Sequence, residues 1–239
     1  MGQFSVSSNS RDQWDFIQEQ ASGLLMTSAH KRLRLALAFY YTTGLRLIEG
    51  VQAKCDDLRS VEYPDPETGG ITTGWELLVL GKGNKERIVS VPDFVVAQLG
   101  EYLVARGLDA DPTSSRNRSA YLFGLATDIS EMAPGLAGQP VDPKAGVSHS
   151  LIYLIFKRFF TQCSVAMSAI DSRGAERIAQ ASTHWLRHTH GTHAVAGGMP
   201  LDVVQQNLGH ASLDTTTGYT TSEERRRMLA SQTYWDQKL

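Results

Sequence analysis

Apolar residues recur at helical spacing in several parts of this 239-residue chain. In the run SAHKRLRLALAFYY, residues 28–41, Leu33, Leu37 and Tyr40 fall on one face, which predicts an amphipathic helix. That helix should end at Gly44, because glycine can supply a C-terminal cap. Similar patterns predict a helical start at Leu45 and helices over residues 92–106, over 148–160 behind a serine cap, and over the charged tail 222–239.

Two strand-like runs and two loop-like segments interrupt the helices. WELLVL and ERIVSVP flank the short segment GKGNK, which predicts a β-hairpin with a glycine-asparagine turn. Proline and glycine in YPDPETGG indicate a loop, and residues 107–147 are expected to form a long surface insertion anchored by the YLF cluster at Tyr121. DSRGAERIAQAS is a polar stretch before residue 183. The pattern predicts an α+β fold that is mainly α, with a small antiparallel sheet.

Composition narrows the class of protein. A hydrophobic share of 41% and a charged share of 20% are typical of a soluble globular chain. No apolar run approaches the roughly 20 residues of a membrane span, and residues 1–14 lack the pattern of a signal peptide, so a cytoplasmic location without membrane contact is expected. Cys55 and Cys163 are expected to be buried rather than reactive. The net charge of −2 is unusual for a nucleic-acid binder, so any DNA binding must depend on local patches.

A histidine-rich segment, STHWLRHTHGTHAVAGG, covers residues 182–198. His184 and His188 are four residues apart, and His190 and His193 are three apart, spacings that can place imidazoles together for zinc. The glutamate of a metalloprotease HExxH motif is missing, however, so no metal site is expected. His190 and His193 are expected to be capping or solvent-exposed residues.

Three other stretches complete a set of groups suited to a phosphodiester: TGLRLIEG, GKGNKER and LGHASLDTTTGYT. Arg46 and Arg187 could each hold two phosphate oxygens, since guanidinium is planar and permanently charged. Histidines can donate to the same oxygens or move protons near neutral pH, and a lysine at the hairpin tip could protonate a leaving oxygen. Tyr219 would be the nucleophile, helped by nearby cations because a free phenol has a pKa of about 10. Such chemistry needs neither metal nor nucleotide, so no cofactor is expected.

These stretches resemble the signature of the tyrosine recombinase (phage integrase) family. The matching segments are TGLRLIE, GKGNKER, HWLRH, LGH and a tyrosine nine residues beyond the last histidine, at Tyr219. Each motif is weak alone, but five in the family's order are specific, and they extend from about residue 28 to the C-terminus. The resemblance implies the catalytic-domain fold of that family and a site-specific recombinase that cleaves and rejoins DNA through a 3′-phosphotyrosyl intermediate.

The resemblance also implies a role for each matching residue. Arg46 and Arg187 would bind the scissile phosphate, Lys82 would protonate the 5′-oxygen, and His184 would assist proton transfer. His210 would donate to a phosphate oxygen, and Tyr219 would form the covalent link. Lys85 is the rival for the lysine role because GKGNK contains both lysines. Glu49 and His188 are expected to support the site.

The family's partners are double-stranded DNA and further subunits, four of which exchange strands, and the C-terminal segment often docks on a neighbour. Residues 222–239 could have that use here. We divide the chain into a tether or short helix at 1–27 and a catalytic domain at 28–239, with the family's N-terminal DNA-clamping domain of roughly a hundred residues apparently absent. Weak DNA binding is therefore expected.

Simpler alternatives stand beside each assignment. Arg46 could form only a surface ion pair with Glu49, Lys82 and Lys85 could be solvated residues of a turn, and Tyr219 could be a half-buried tyrosine. Two other functions also fit: a type IB topoisomerase, which would relax DNA by the same chemistry, and a DNA-binding regulator without catalysis.

Overall fold

A computed structural model describes residues 11–64, 69–81, 85–125, 141–209 and 221–237. These ranges contain nine α-helices and one three-stranded sheet, which confirms the predicted mainly α fold. The helices are α1 Arg11–Ser22, α2 Ser28–Thr43, α3 Leu47–Gln52, α4 Asp93–Ala105, α5 His149–Ser168, α6 Ser172–Gln180, α7 Thr183–Ala196, α8 Leu201–Leu208 and α9 Thr221–Asp236. The strands are β1 Leu58–Pro64, β2 Ile71–Leu80 and β3 Glu86–Val91. No helix within these ranges is long and apolar enough to cross a membrane.

The sheet is antiparallel, in the order β1-β2-β3. Its second and third strands form the predicted hairpin, in which Trp75 pairs with Val91 and Leu80 with Glu86. The sequence did not predict β1, which includes the first two residues of the expected loop, Tyr63 and Pro64. Residues 65–68 of that loop and 82–84 of the hairpin turn lie outside the described residues.

Helix α2 runs through the middle of the core. It ends at Gly44, which has φ +64° and donates its N–H to the Tyr40 carbonyl, as a glycine cap should. Most of the residues of α2 are buried, and the helix contacts α4, α7 and β3. Large aromatic rings from α2 and from neighbouring segments lie in this core, namely Trp14, Phe39, Tyr40, Phe123, Phe156 and Phe160.

Several predicted boundaries need correction. Helix α3 begins at Leu47 rather than Leu45, because Arg46 has extended backbone angles and serves as the N-cap. The polar stretch before the histidine-rich segment is a helix, α6, whose Ala175 and Ile178 are buried. Helix α5 has the predicted Ser148 cap, with the side-chain oxygen accepting from the Leu151 N–H, but it continues eight residues beyond Phe160 to Ser168.

The long insertion is anchored as predicted at Leu122 and Phe123, which are both fully buried. Buried cationic side chains hold its backbone: Arg106 donates to the Tyr121 and Leu122 carbonyls, and Arg32 donates to the Gly124 carbonyl. Residues 126–140 lie outside the described residues. Both cysteines are buried, as predicted, and burial raises the pKa of Cys55 to about 11 and that of Cys163 to about 12.

Candidate active site

A cleft of about 490 Å³ opens where the first turns of α3, α5 and α7 meet. Three residues predicted to be catalytic line it: Arg46, His184 and Arg187. His149, from the start of α5, also lines the cleft, although it belongs to none of the predicted catalytic motifs. Thus residues more than 130 positions apart in the chain reach one site.

Arg46 is held at the mouth of this cleft by Glu49. Its backbone N–H donates to Oε2 of Glu49 at 2.8 Å, and its Nη1 donates to Oε1 at 3.0 Å. The Arg46 side chain is 42% exposed, whereas that of Glu49 is only 3% exposed. The pair exists, but a surface ion pair is the wrong description, since the carboxylate is buried and the guanidinium faces the cleft.

Glu49 also binds a second guanidinium, that of Arg87 on β3. Arg87 Nη1 lies 3.0 Å from Oε1 and Nη2 lies 2.8 Å from Oε2, so both carboxylate oxygens are used. Burial acts to raise the pKa of Glu49, but hydrogen bonds from Arg87 and the Arg46 backbone outweigh it and lower the pKa below its ordinary value. Arg87 Nε further donates to the Asn207 carbonyl on α8. Arg87 was not predicted as a site residue, although it is the last residue of the GKGNKER motif.

Arg187 is almost fully buried at the base of the cleft. Its Nη1 donates to the Gly44 carbonyl at 2.7 Å, and its Nη2 donates to the Leu208 carbonyl. Burial, followed by repulsion from Arg46, lowers the pKa of Arg187 to about 10. The side chain therefore remains charged at neutral pH. Its geometry is fixed by backbone carbonyls of two segments, the end of α2 and the end of α8.

His184 and His188 lie one turn apart on α7 and are both exposed. Their Nε2 atoms are 2.9 Å apart, so one ring contributes the N–H and the other accepts it. His184 lines the cleft beside Arg187. His188 thus contacts a residue of the cleft, and its supporting role stays a prediction.

The prediction for His190 and His193 was wrong. Both side chains are buried and face α2, where His190 Nδ1 bonds the Tyr41 carbonyl at 2.8 Å and His193 Nδ1 bonds the Tyr41 hydroxyl at 3.0 Å. Burial lowers the pKa of His190 to about 4, so this ring is neutral at pH 7. The ring also packs closely on the end of α2, since a Cβ added at Gly44 would lie 2.5 Å from His190 Cδ2.

The structure describes only some of the remaining predicted site residues. Lys82, His210 and Tyr219 lie outside the described residues, so their roles stay predictions. Lys85 is exposed, and its carbonyl accepts from the Gly81 N–H at 2.8 Å across the hairpin end. The choice between Lys82 and Lys85 as the acid also stays a prediction. Within the described ranges, no three His, Cys, Asp or Glu side chains are grouped to hold a metal ion.

Comparison with known proteins supplies the family. The phage integrase family profile matches residues 15–226. Tyrosine recombinase XerD of Rickettsia bellii is 32% identical over 189 residues, which cover 79% of this chain and 51% of XerD. Tyrosine recombinase XerC of a Methylobacterium species is 31% identical over 195 residues, covering 81% of this chain and 47% of XerC. The chain spans about half the length of these curated relatives.

Solved structures share the fold at lower sequence identity. XerH site-specific recombinase bound to a palindromic difH substrate superimposes with a TM-score of 0.57 at 21% identity, covering 94% of this chain and 52% of XerH. The integrase of mycobacterium phage Brujita gives a TM-score of 0.53 at 18% identity, with 91% and 55% covered. The recombinase fold predicted from the motifs is thus confirmed, and the chain belongs to the phage integrase family.

Proposed function

We propose that this chain is a site-specific DNA recombinase or integrase that cleaves and rejoins DNA strands through a 3′-phosphotyrosyl intermediate. The observation that carries the proposal is the cleft, where Arg46 and the buried Arg187 provide two guanidiniums beside His184. Two such groups can grip the oxygens of one phosphodiester and offset the charge that develops in the transition state. The names of the relatives, tyrosine recombinases XerD and XerC, support this assignment.

The proposed reaction proceeds by two transesterifications. The oxygen of Tyr219 attacks the scissile phosphorus, forms the 3′-phosphotyrosyl bond and breaks the bond to the 5′-oxygen. Lys82 donates a proton to that leaving oxygen, His184 assists proton transfer, and His210 donates to a nonbridging oxygen. A 5′-hydroxyl then attacks the phosphotyrosyl bond and releases the tyrosine, so the energy of the original bond is conserved without ATP.

The proposed partners are double-stranded DNA and further copies of the recombinase. XerH, a site-specific recombinase with the same fold, is bound to its difH substrate, which supports DNA as the ligand. We propose a tetramer on DNA, because strand exchange joins two cleaved duplexes, and a cytoplasmic site of action. Residues 28–239 would hold the catalytic residues, and helix α1, which precedes them, would pack into the same core.

Covalent trapping tests the chemistry directly. The protein is incubated in EDTA with a nicked suicide substrate, made from DNA that flanks its gene because the target sequence is unknown. A denaturing gel then reports any protein-DNA adduct. We expect an adduct that forms in EDTA with the wild-type chain and is lost in Tyr219→Phe, whose ring lacks the nucleophilic oxygen.

Two comparisons separate the alternatives. Resolution of a synthetic Holliday junction would favour a recombinase, whereas relaxation of supercoiled plasmid without junction resolution would favour a type IB topoisomerase. DNA binding with no adduct on any flanking DNA, for this chain and for the longest natural form of the protein, would favour the non-catalytic regulator and contradict the proposal.

A further inference from the structure

The relative placement of the His184 and His188 rings suggests more than a hydrogen bond. Their Nε2 atoms are 2.9 Å apart, while the ring centroids are 4.4 Å apart and the ring planes are perpendicular. Two imidazoles facing each other head on at this hydrogen-bond distance would have centroids about 5 Å apart. The rings are therefore inclined to each other rather than aligned head on.

This arrangement matches two ligands of one metal ion. Imidazole nitrogens bind Zn²⁺ at about 2.0–2.1 Å, so two of them at a right angle lie about 2.9 Å apart, with centroids about 4.5 Å apart. A tetrahedral angle would need the nitrogens about 0.4 Å further apart, which small side-chain rotations can supply. Residues four positions apart lie on the same face of a helix, so helix α7 alone brings the two histidines together.

Accessibility distinguishes this pair from His190 and His193, the other two histidines of α7. His184 and His188 are exposed at the cleft, whereas His190 and His193 are buried and bonded to Tyr41. For both Nε2 atoms to bind an ion, the ring that donates must move its proton to Nδ1. No net proton is released in that tautomer change, and waters can occupy the remaining coordination positions.

We propose that His184 and His188 form a binding site for a divalent transition-metal ion, such as Cu²⁺ or Zn²⁺, whose occupancy inhibits the recombinase. Imidazole suits these ions, while Mg²⁺ and Ca²⁺ prefer oxygen ligands. The charged Arg46 and Arg187 beside the cleft repel any cation, which further restricts binding to ions with strong affinity for nitrogen. This regulatory site differs from the catalytic zinc site of a metalloprotease, which the missing glutamate of the HExxH motif argues against.

Inhibition follows from the position of His184 and rests on the proposed function. An ion on its Nε2 removes the lone pair that would accept a proton during cleavage, and the ion with its bound waters occupies cleft space that the phosphate must enter. Metal bound at this pair should therefore suppress formation of the Tyr219 adduct, and EDTA should restore it.

The site can be tested without DNA or activity. Zn²⁺ is titrated into the purified chain by calorimetry, and Cu²⁺ electron paramagnetic resonance reports the coordinating nitrogens. We expect His184→Gln and His188→Gln each to weaken Zn²⁺ binding by about tenfold or more, because each removes half of a chelate. His30→Gln is the matched control, since His30 lies on α2 and bonds the Leu25 carbonyl away from the cleft. Equal affinity in the wild type and both cleft variants would overturn the site.

The regulatory effect is measured by adduct formation against Zn²⁺ concentration, each variant being normalised to its own rate in EDTA. Wild-type and His30→Gln protein should lose most of their activity over the range in which calorimetry shows binding, and His188→Gln should need about tenfold more Zn²⁺. Mg²⁺ at equal concentration should not inhibit. An adduct yield unaffected by bound Zn²⁺ would refute inhibition, whereas no adduct in EDTA from any protein would refute the proposed function and leave the calorimetric result to decide the site.

Discussion

Glu49 is the residue on which the position of Arg46 most depends. It is buried and holds both Arg46 and Arg87 through its two oxygens. Glu49→Gln keeps the volume but removes the charge, leaving two guanidiniums close together without a carboxylate between them. We expect the free energy of unfolding to fall by about 2 kcal/mol and the rate of adduct formation to fall more than tenfold, measured by urea denaturation and by trapping.

The control for that change is Glu101→Gln, at an exposed position on α4, which should alter neither quantity. The pH dependence adds a second check. Because the pKa of Glu49 is lowered in the folded state, its contribution is present above the ordinary pKa of about 4.3 and is lost as pH falls through the folded value. The stability difference between wild type and Glu49→Gln should therefore shrink in acid; a difference that is constant down to pH 3 would contradict the role of the charge.

His190 should make the protein sensitive to mild acid. Its pKa is lowered from 6.5 to about 4 by burial, so below pH 6.5 the unfolded chain takes up a proton that the folded chain excludes. The stability that neutral His190 contributes is fully present above pH 6.5. Between pH 6.5 and 4 this contribution is lost, and the free energy of unfolding falls by about 3 kcal/mol in total. Urea denaturation at several pH values should give a smaller slope over this window for His190→Gln, which cannot titrate. Identical slopes would show that other groups cause the acid sensitivity.

At the scale of elements, helix α9 is attached through its aromatic residues. Trp235 is 3% exposed and packs against Tyr41, with ring centroids 5.3 Å apart, and stacks on His190 at 6.1 Å. Trp235→Ala should lower the free energy of unfolding by about 3–5 kcal/mol, because it leaves a large cavity. Amide hydrogen exchange should show that protection over α9 falls most.

Leu229 provides the comparison on the same helix. It is 37% exposed, so Leu229→Ala should cost much less and leave the exchange of α9 nearly unchanged. Equal effects of the two substitutions would mean that α9 is not held by the Trp235 contact.

Elements with strong local signals could be predicted from the sequence. The end of helix α2 was predicted correctly because Gly44 terminates a regular apolar face. Strand β1 was missed, since its burial pattern has only Leu58 and Tyr63 inside and it ends in proline. Helix α6 was missed because its buried face is only Gly174, Ala175 and Ile178. Local patterns indicate an element only when its buried face is large enough to stand out.

The candidate site could also be predicted only in part. The order of the motifs predicted that Arg46, His184 and Arg187 act together, and all three line one cleft, although no local spacing indicates that α3 lies next to α7. Arg87 and the burial of His190 could not be predicted, because both depend on contacts between distant segments: β3 with Glu49, and α7 with the Tyr41 carbonyl. Pairing of a buried charge is a tertiary property, and a single sequence carries no direct signal for it.

Across the whole molecule, the first and last described helices meet on one side chain of α2. Tyr41 stacks on Trp14 of α1 at 3.9 Å, accepts a hydrogen bond from Arg11 Nη1, and contacts Trp235 of α9 on another side. Trp14 and Ile17 belong to the same buried cluster as core residues of α3, α5 and α7, the helices that line the cleft. A boundary after residue 27 therefore crosses a continuous core in the described structure, and we expect α1 to behave as part of one cooperative unit.

Trp14→Ala tests that expectation against the tether proposed from the polar N-terminal sequence. Trp14 is 1% exposed, so its truncation should lower the free energy of unfolding by about 3–5 kcal/mol and leave a single calorimetric transition at a lower temperature. Phe16→Ala, at a half-buried position on the same helix, should cost less. Since Trp14 and Trp235 share Tyr41, the double substitution should be less destabilising than the sum of the two single changes. A Trp14→Ala protein that melts at the wild-type temperature would instead support a tether over residues 1–27.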